Sequence, residues 1–183
     1  MSNYIIYGGA FNPPTIGHYK IIEYLLNNFD EKLIILPTNN FYKVNEIISF
    51  EHRKNMIEIM CENYKDRIEI SNYEQTLDKY YGTYYTLKYF DHPLFVIGAD
   101  SLNTINQWIN YPSVVKENKF IVFPRDGINI FDNKVYKKYK DHFIICDDFK
   151  EFNVSSTEFR KTKDAKVVTK EVLKYIDDNN LYK

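Results

Sequence analysis

Cysteine is scarce in this chain of 183 residues, which has two, Cys61 and Cys146, far apart in sequence. That excludes a disulfide framework and a zinc site built on paired thiols, and both residues read as buried, reduced core thiols. No apolar stretch approaches the ~20 residues of a membrane-spanning helix. Met1 leads into a strand-like run with no basic segment followed by a long apolar one, so a cytoplasmic location with no membrane partner is expected. An excess of one charge is also missing. Lys and Arg total 24 against 25 Asp and Glu, a formal net charge of -1, which excludes the basic footprint of a nucleic-acid binder and favours a small-molecule partner. Repeats, low-complexity tracts and Pro/Gly-rich linkers are lacking, so residues 1–183 read as one domain of ordinary size, large enough to bury its own core.

What is present is a regular alternation. Apolar runs bounded by turn residues predict buried strands at Tyr4–Tyr7, Leu33–Leu36, Ile68–Ile70, Leu94–Ile97, Phe120–Phe123 and Phe143–Cys146. Helical spacing predicts helices at Gly17–Asn28, Phe50–Tyr64, Tyr84–Phe90, Leu102–Ile109 and Val167–Asp178. The polar stretch Asp126–Lys140 reads as a surface excursion. Strands too apolar for a one-sided sheet, alternating with helices, predict a doubly wound, Rossmann-like α/β fold: a parallel sheet with helices on both faces. Ligands in such folds bind beyond the carboxyl ends of the strands, where strand order reverses, so the loops after strands are where chemistry is sought.

Glycine is sparse too, six residues in all, yet Gly8, Gly9 and Gly17 fall in one loop, Tyr7-Gly8-Gly9-Ala10-Phe11-Asn12-Pro13-Pro14-Thr15-Ile16-Gly17-His18. Adjacent glycines allow a sharp turn and bring backbone N–H groups close to a ligand. The helix beginning near Gly17 aims its positive dipole end at the same space, so phosphate is the natural occupant. His18, in the first turn, either donates to a phosphate oxygen that gains charge in a transition state or is a surface histidine. Neither the P-loop nor the dinucleotide fingerprint is satisfied.

A second loop, Val154-Ser155-Ser156-Thr157-Glu158-Phe159-Arg160, places three hydroxyl residues at a helix start, and Ser155 with Glu158 has capping-box spacing. It reads either as a cap with a solvated arginine or as an anion site to which Arg160 adds a charged fork. After the fourth strand comes Ile97-Gly98-Ala99-Asp100-Ser101-Leu102, then Gln107-Trp108, the one tryptophan. Gly98 admits a close approach at a strand end. Asp100 either accepts from ribose hydroxyls or caps the following helix. Trp108 either offers a flat face to an aromatic ring or is core, and Lys43 either supplies a cation to phosphates or is solvated.

The first loop resembles the signature G-G-x-F-D-P-x-H-x-G-H of nucleotidyltransferases in the nicotinate-nucleotide adenylyltransferase family, with His18 at its second histidine. Thr15 stands at the first-histidine position, as in related phosphopantetheine enzymes, and Asn12 replaces the aspartate. Val154–Arg160 is similar to the I-S-S-T-x-x-R motif of that superfamily, and Gly98-Ala99-Asp100 with Trp108 resembles its G-A-D then W pattern. Tyr85-Thr86 resembles its S-Y-T segment, and Pro37–Lys43 its loop ending in a basic residue. Matches at His52-Arg53 and Asn180-Leu181-Tyr182 carry the resemblance along effectively the whole chain.

The resemblance implies an enzyme of NAD biosynthesis that joins ATP, with Mg²⁺, to nicotinate mononucleotide, giving nicotinate adenine dinucleotide and pyrophosphate. It implies catalytic roles for His18, Thr15, Lys43 and Arg160. ATP would be bound by Gly8, Gly9, Ala10, Phe11, His18, Gly98, Asp100, Ser155, Ser156, Thr157 and Arg160. The acceptor would be held by Lys43, Tyr85, Thr86 and Trp108, the indole stacking on the pyridine ring; no metal site made of protein ligands is expected. The alternatives are an adenylyl- or cytidylyltransferase for another phosphate, such as phosphopantetheine or a polyol phosphate, and a catalytically silent nucleotide-binding module, which the Thr15 and Asn12 departures favour. All of these turn on one expectation: that the first loop and the serine-rich loop converge in space.

Overall fold

The computed structural model describes residues 3–41 and 47–183. Along the chain run β1 (Tyr4–Gly9), α1 (Ile16–Asn28), β2 (Lys32–Pro37), α2 (Phe50–Met60), β3 (Ile68–Ile70) and α3 (Thr83–Tyr89). There follow β4 (Leu94–Gly98), α4 (Ala99–Leu102), α5 (Ser113–Lys116), β5 (Lys119–Phe123), α6 (Lys134–Lys138), β6 (Phe143–Ile145), α7 (Ser156–Thr162) and α8 (Lys170–Asp178). The strands form one six-stranded sheet in the order β3-β2-β1-β4-β5-β6. The β1–β4, β2–β3, β4–β5 and β5–β6 pairings are parallel. This is the doubly wound, Rossmann-like order expected from the alternation, and it reverses between β1 and β4.

The chain divides into two compact units, residues 1–7 with 78–151, and residues 8–77 with 152–183. In the first, Ile97, Phe120, Val122 and Phe143 from the strands pack with Leu87, Leu102, Val114 and Val115 from the connecting segments into one apolar cluster. In the second, α1 buries Ile21, Ile22, Leu25 and Leu26, a spacing of one and four that lines one helical face. Leu33 to Leu36 are buried consecutively in β2, as a strand covered on both sides requires. Met56, Ile57 and Met60 of α2 and Val172 and Ile176 of α8 complete the core of that unit. Both cysteines are free and buried. Among the described residues no helix is long and apolar enough to cross a membrane.

Several boundaries differ from those read off the sequence. The helix expected over Leu102–Ile109 does not form: α4 stops at Leu102, a single 3₁₀ turn covers Ile105–Gln107, and Trp108 is extended at φ −69°, ψ 150°. Asn110 at φ 61° and Pro112 just beyond it cannot propagate a helix, which accounts for the break. The stretch Asp126–Lys140 is not a mere surface excursion, because it carries α6 and anchors itself through buried Ile130 and Tyr136. The helix expected over Phe50–Tyr64 ends at Met60, and that expected from Val167 starts at Lys170 after a short turn. The edge strands β3 and β6 are only partly buried, unlike the central ones.

A buried arginine supports the first loop from below. Arg53 of α2 is 1% exposed, and its guanidinium donates to the Ile48 carbonyl at 3.2 Å and the Ala10 carbonyl at 2.8 Å. Nearby, buried Glu74 accepts from the Asn39 N–H at 2.9 Å. Burial pushes the Glu74 carboxyl up, and the Asn39 N–H and the charge of Arg53 pull it down by less. A folded-state pKa above the unfolded one gives stability that is fully present below the ordinary value of 4.5 and is lost as pH rises through the raised value. Glu74→Gln keeps an acceptor for Asn39 and removes the ionisation. Its Tm is therefore expected to exceed that of the unsubstituted chain at pH 7, with the advantage closing as pH falls below 4.5. A variant that melts lower at pH 7 would mean that attraction to Arg53 outweighs desolvation.

Candidate active site

The first loop begins where β1 ends. Gly8 and Gly9 complete the strand, and the turn expected of them is made by Phe11, a buried residue at φ 48°. Gly9 packs closely against that residue: a Cβ there would lie 3.3 Å from the Phe11 ring and would press on it. Thr38 N–H donates to the Gly9 carbonyl at 2.9 Å, which ties the strand end to the segment after β2. Ala10 is exposed at the lip of the turn.

Thr15 is the N-cap of α1, 1% exposed. Its hydroxyl accepts from the His18 N–H at 3.3 Å, and in return its own N–H donates to His18 Nδ1 at 2.9 Å. The Thr15 hydroxyl also reaches Nδ1 at 3.0 Å. Two donors converge on Nδ1, so the neutral imidazole carries its hydrogen on Nε2, and Phe11, its ring centroid 4.8 Å away, packs against the same ring. The capping box thus does two things at once: it satisfies the start of α1 and orients a histidine. Thr15, to which the resemblance gives a catalytic role, has its hydroxyl engaged in this cap.

The serine-rich turn meets the first loop. Ser156 Oγ donates to the Pro13 carbonyl at 2.7 Å, and Arg160 Nη1 donates to the Asn12 carbonyl at 2.7 Å. Gly17 allows a close approach of the two segments, since a Cβ there would lie 3.2 Å from Val154 Cγ2. Ser155 caps α7, accepting from the Glu158 N–H at 3.0 Å, as the capping-box spacing predicts. Thr157 Oγ1 accepts from Arg160 Nη2 at 3.2 Å. The hydroxyls therefore build the junction between the two loops, and the guanidinium, with five donors in all, is held by two of them. Lys43 lies outside the described residues.

The middle motifs fall in the other unit. A Cβ on Gly98 would collide with Asp100 Oδ1 and lie 3.1 Å from Arg125 Nε, so any other residue at this strand end would displace the Asp100–Arg125 pair. Asp100 does not cap α4, since it sits inside the first turn; it faces Arg125, with Nε 3.5 Å from Oδ1. Arg125 was not singled out from the sequence. Its Nη1 donates to Glu151 Oε1 at 2.8 Å, while Asp126 N–H donates to Glu151 Oε2 at 2.7 Å. Burial works against its charge, but the hydrogen bond it donates to Glu151 and the negative charges of Asp100 and Glu151 hold its pKa above the usual arginine value. The usable signal was Phe123-Pro124-Arg125-Asp126-Gly127, a charged turn directly after a strand.

Trp108 is half-buried and meets Phe120 edge-on, with ring centroids 6.4 Å apart, so it borders the core with part of the indole in solvent. Gly82, at φ 101°, lets the start of α3 pack against Ile109: a Cβ there would lie 2.9 Å from Ile109 Cδ1. That contact brings Tyr85 and Thr86 of α3 toward the Trp108 segment. Tyr85 is 46% exposed, whereas Thr86 is buried.

Comparison with known proteins agrees with this arrangement. Residues 6–162 match the family model described as cytidylyltransferase-like. The chain is 36% identical to an Acholeplasma laidlawii protein named "probable nicotinate-nucleotide adenylyltransferase", over 97% of this chain and 96% of that one. It is 35% identical to a Fusobacterium nucleatum protein of the same name, over 94% and 95% of the two chains. Among solved structures, it superposes on Plasmodium falciparum nicotinic acid mononucleotide adenylyltransferase in complex with APC, with a TM-score of 0.84, 25% identity and coverage of 100% of this chain and 98% of that one. The same enzyme in complex with NaAD gives a TM-score of 0.83 at 26% identity. On the family model across most of its length and near-complete relatives above one-third identity, this chain belongs to the cytidylyltransferase-like family and, within it, to the nicotinate-nucleotide adenylyltransferases.

Proposed function

We propose that this chain transfers the adenylyl group of ATP to nicotinate mononucleotide, a step of NAD biosynthesis carried out in the cytoplasm. The observation that carries the proposal is the junction at Asn12–Pro13, where successive carbonyls receive Arg160 and Ser156 and so hold two motifs distant in sequence against the start of α1. In this reading an acceptor phosphate oxygen attacks the α-phosphorus of ATP in line. A P–O bond forms to the acceptor, the bond from the α-phosphorus to the bridging oxygen breaks, and pyrophosphate leaves.

Attack of one anion on another is opposed by repulsion, so the protein acts by positioning and by charge compensation rather than by supplying a nucleophile. His18 Nε2–H, aimed by the Thr15 contacts on Nδ1, donates to the α-phosphate as charge gathers there. Arg160, N–H groups at the start of α1 and Lys43 are assigned to the polyphosphate and the acceptor phosphate. Among the described residues no group of three or more His, Cys, Asp or Glu side chains is placed to hold a metal ion. Mg²⁺ is taken to enter as part of the ATP substrate. Asp100 is assigned to ribose hydroxyls, and Trp108 with Tyr85 to the pyridine end of the acceptor. The Acholeplasma relative and the Plasmodium enzyme solved with NaAD support this choice of acceptor.

Pyrophosphate release with ATP and nicotinate mononucleotide tests the reading directly. His18→Ala is expected to lower kcat by about 10² to 10³, the loss seen when one preorganised donor is removed, with little change in either KM. Turnover close to that of the unsubstituted chain would take His18 out of the mechanism. Trp108→Ala is expected to raise KM for nicotinate mononucleotide by roughly ten-fold, the scale of one lost aromatic contact, while KM for ATP stays put. Equal effects on both substrates would refute the stacking role.

A further inference from the structure

The loop that receives Arg160 is also held from a third direction. After α8 the chain coils tightly: Leu181 N–H donates back to the Ile176 carbonyl at 3.0 Å, and Asn180 and Tyr182 both take left-handed conformations, at φ 55° and 58°. A bulky non-glycine residue in that region is costly and persists only where its surroundings impose it. Here the coil delivers the Tyr182 ring edge-on to Phe159 of α7, with centroids 6.1 Å apart, and sends the hydroxyl 2.9 Å from Asn12 Oδ1.

Asn12 is 2% exposed. Its side-chain oxygen receives two donors, Tyr182 O–H and the Ile48 N–H at 3.3 Å, and that pair identifies the oxygen end of the amide. Burial pushes the Tyr182 phenol upward, which keeps it protonated and donating. The backbone carbonyl of the same residue is the one on which Arg160 sits. One residue is therefore gripped at its side chain by Tyr182 and at its backbone by a proposed polyphosphate-binding group.

We infer that Tyr182 is a positioning residue for the adenylyl-transfer reaction, acting through Asn12 to hold the first loop at the place where Arg160 and Ser156 engage it. The inference rests on the polyphosphate reading of that loop. Without the hydroxyl, the Asn12 side chain loses the shorter of its two described donors, and more of the restraint on the loop falls on Arg160 and Ser156, side chains assigned to the nucleotide. Misplacement of reacting groups well under a bond length is enough to cost turnover.

The test compares Tyr182→Phe, which keeps the ring on Phe159, with Tyr175→Phe. The latter deletes a hydroxyl of α8 whose partners, His52 and Asn55, are both on α2. Tyr182→Phe is expected to lower kcat about ten-fold with KM for nicotinate mononucleotide within about two-fold, whereas Tyr175→Phe shifts Tm and leaves kcat unchanged. Combined with Arg160→Lys, the loss should be smaller than the product of the two single losses, because both act through Asn12. Amide hydrogen exchange without substrates gives a second readout: the Ile48 amide should exchange several-fold faster in Tyr182→Phe. Normal kcat with unchanged Ile48 exchange, or fully multiplicative losses, overturns the inference. If the unsubstituted chain releases no pyrophosphate, the functional reading fails, and Ile48 exchange still decides the role of Tyr182.

Discussion

Arg160 donates to the Asn12 carbonyl at 2.7 Å across 148 residues of sequence, and Ser156 donates to the neighbouring Pro13 carbonyl at the same distance. Together these bonds tie the first loop to the serine-rich loop. A reaction between two anions needs this. Its barrier is lowered by donors and charges fixed beforehand in the right places, not by groups that must reorganise as charge develops. Arg suits the position because its planar fork anchors through some donors while others stay available, which an ammonium on a flexible stem does less well.

The same economy appears at His18. Helix starts leave N–H groups without intrahelical partners, and a threonine N-cap is an ordinary remedy. What is particular here is the residue three positions on. A capping box normally closes with a glutamate or glutamine; in α1 it closes with a histidine whose Nδ1 takes both the Thr15 N–H and its hydroxyl. The helix cap therefore specifies the tautomer of the group proposed to meet the α-phosphate. A histidine in the signature position of the family, capped by threonine, keeps its aim without a second imidazole beside it, which answers the concern that the Thr15 departure marks a silent module.

Much of this was legible in the sequence because it depends on local pattern. Strand runs such as Leu33–Leu36, the α1 face and the Ser155–Glu158 capping box follow from periodicity and spacing that neighbouring residues set on their own. The doubly wound order followed from their alternation. The turn expected at Gly8 and Gly9 falls instead at Phe11, and Gly9 packs closely against the Phe11 ring. Trp108 was misplaced on a helix because Asn110 and the proline after it act from downstream of the apolar pattern. Arg125 and Glu151 went unread, and Arg53 and Tyr182 were marked by resemblance without a role, for a common reason. Each acts through a partner far along the chain, and nothing in a stretch of neighbouring residues marks which arginine is buried or which tyrosine turns back on the first loop.

Arg53 shows what that hidden layer contributes. Burying a guanidinium is expensive, and a buried ion pair is seldom a net gain in stability. The raised Glu74 carboxyl says the same locally, since burial outweighs its attraction to Arg53. The Ala10 and Ile48 carbonyls that accept from Arg53 would be served as well by neutral donors; the arginine brings in addition a permanent positive charge beside the first loop. Away from bulk water such a charge acts over a longer range than a solvated one. A polyanion bound on the loop would benefit from it without touching it. The cost of the buried charge is then borne by the folded state and returned on nucleotide binding, so stability and affinity are expected to trade against each other at this residue.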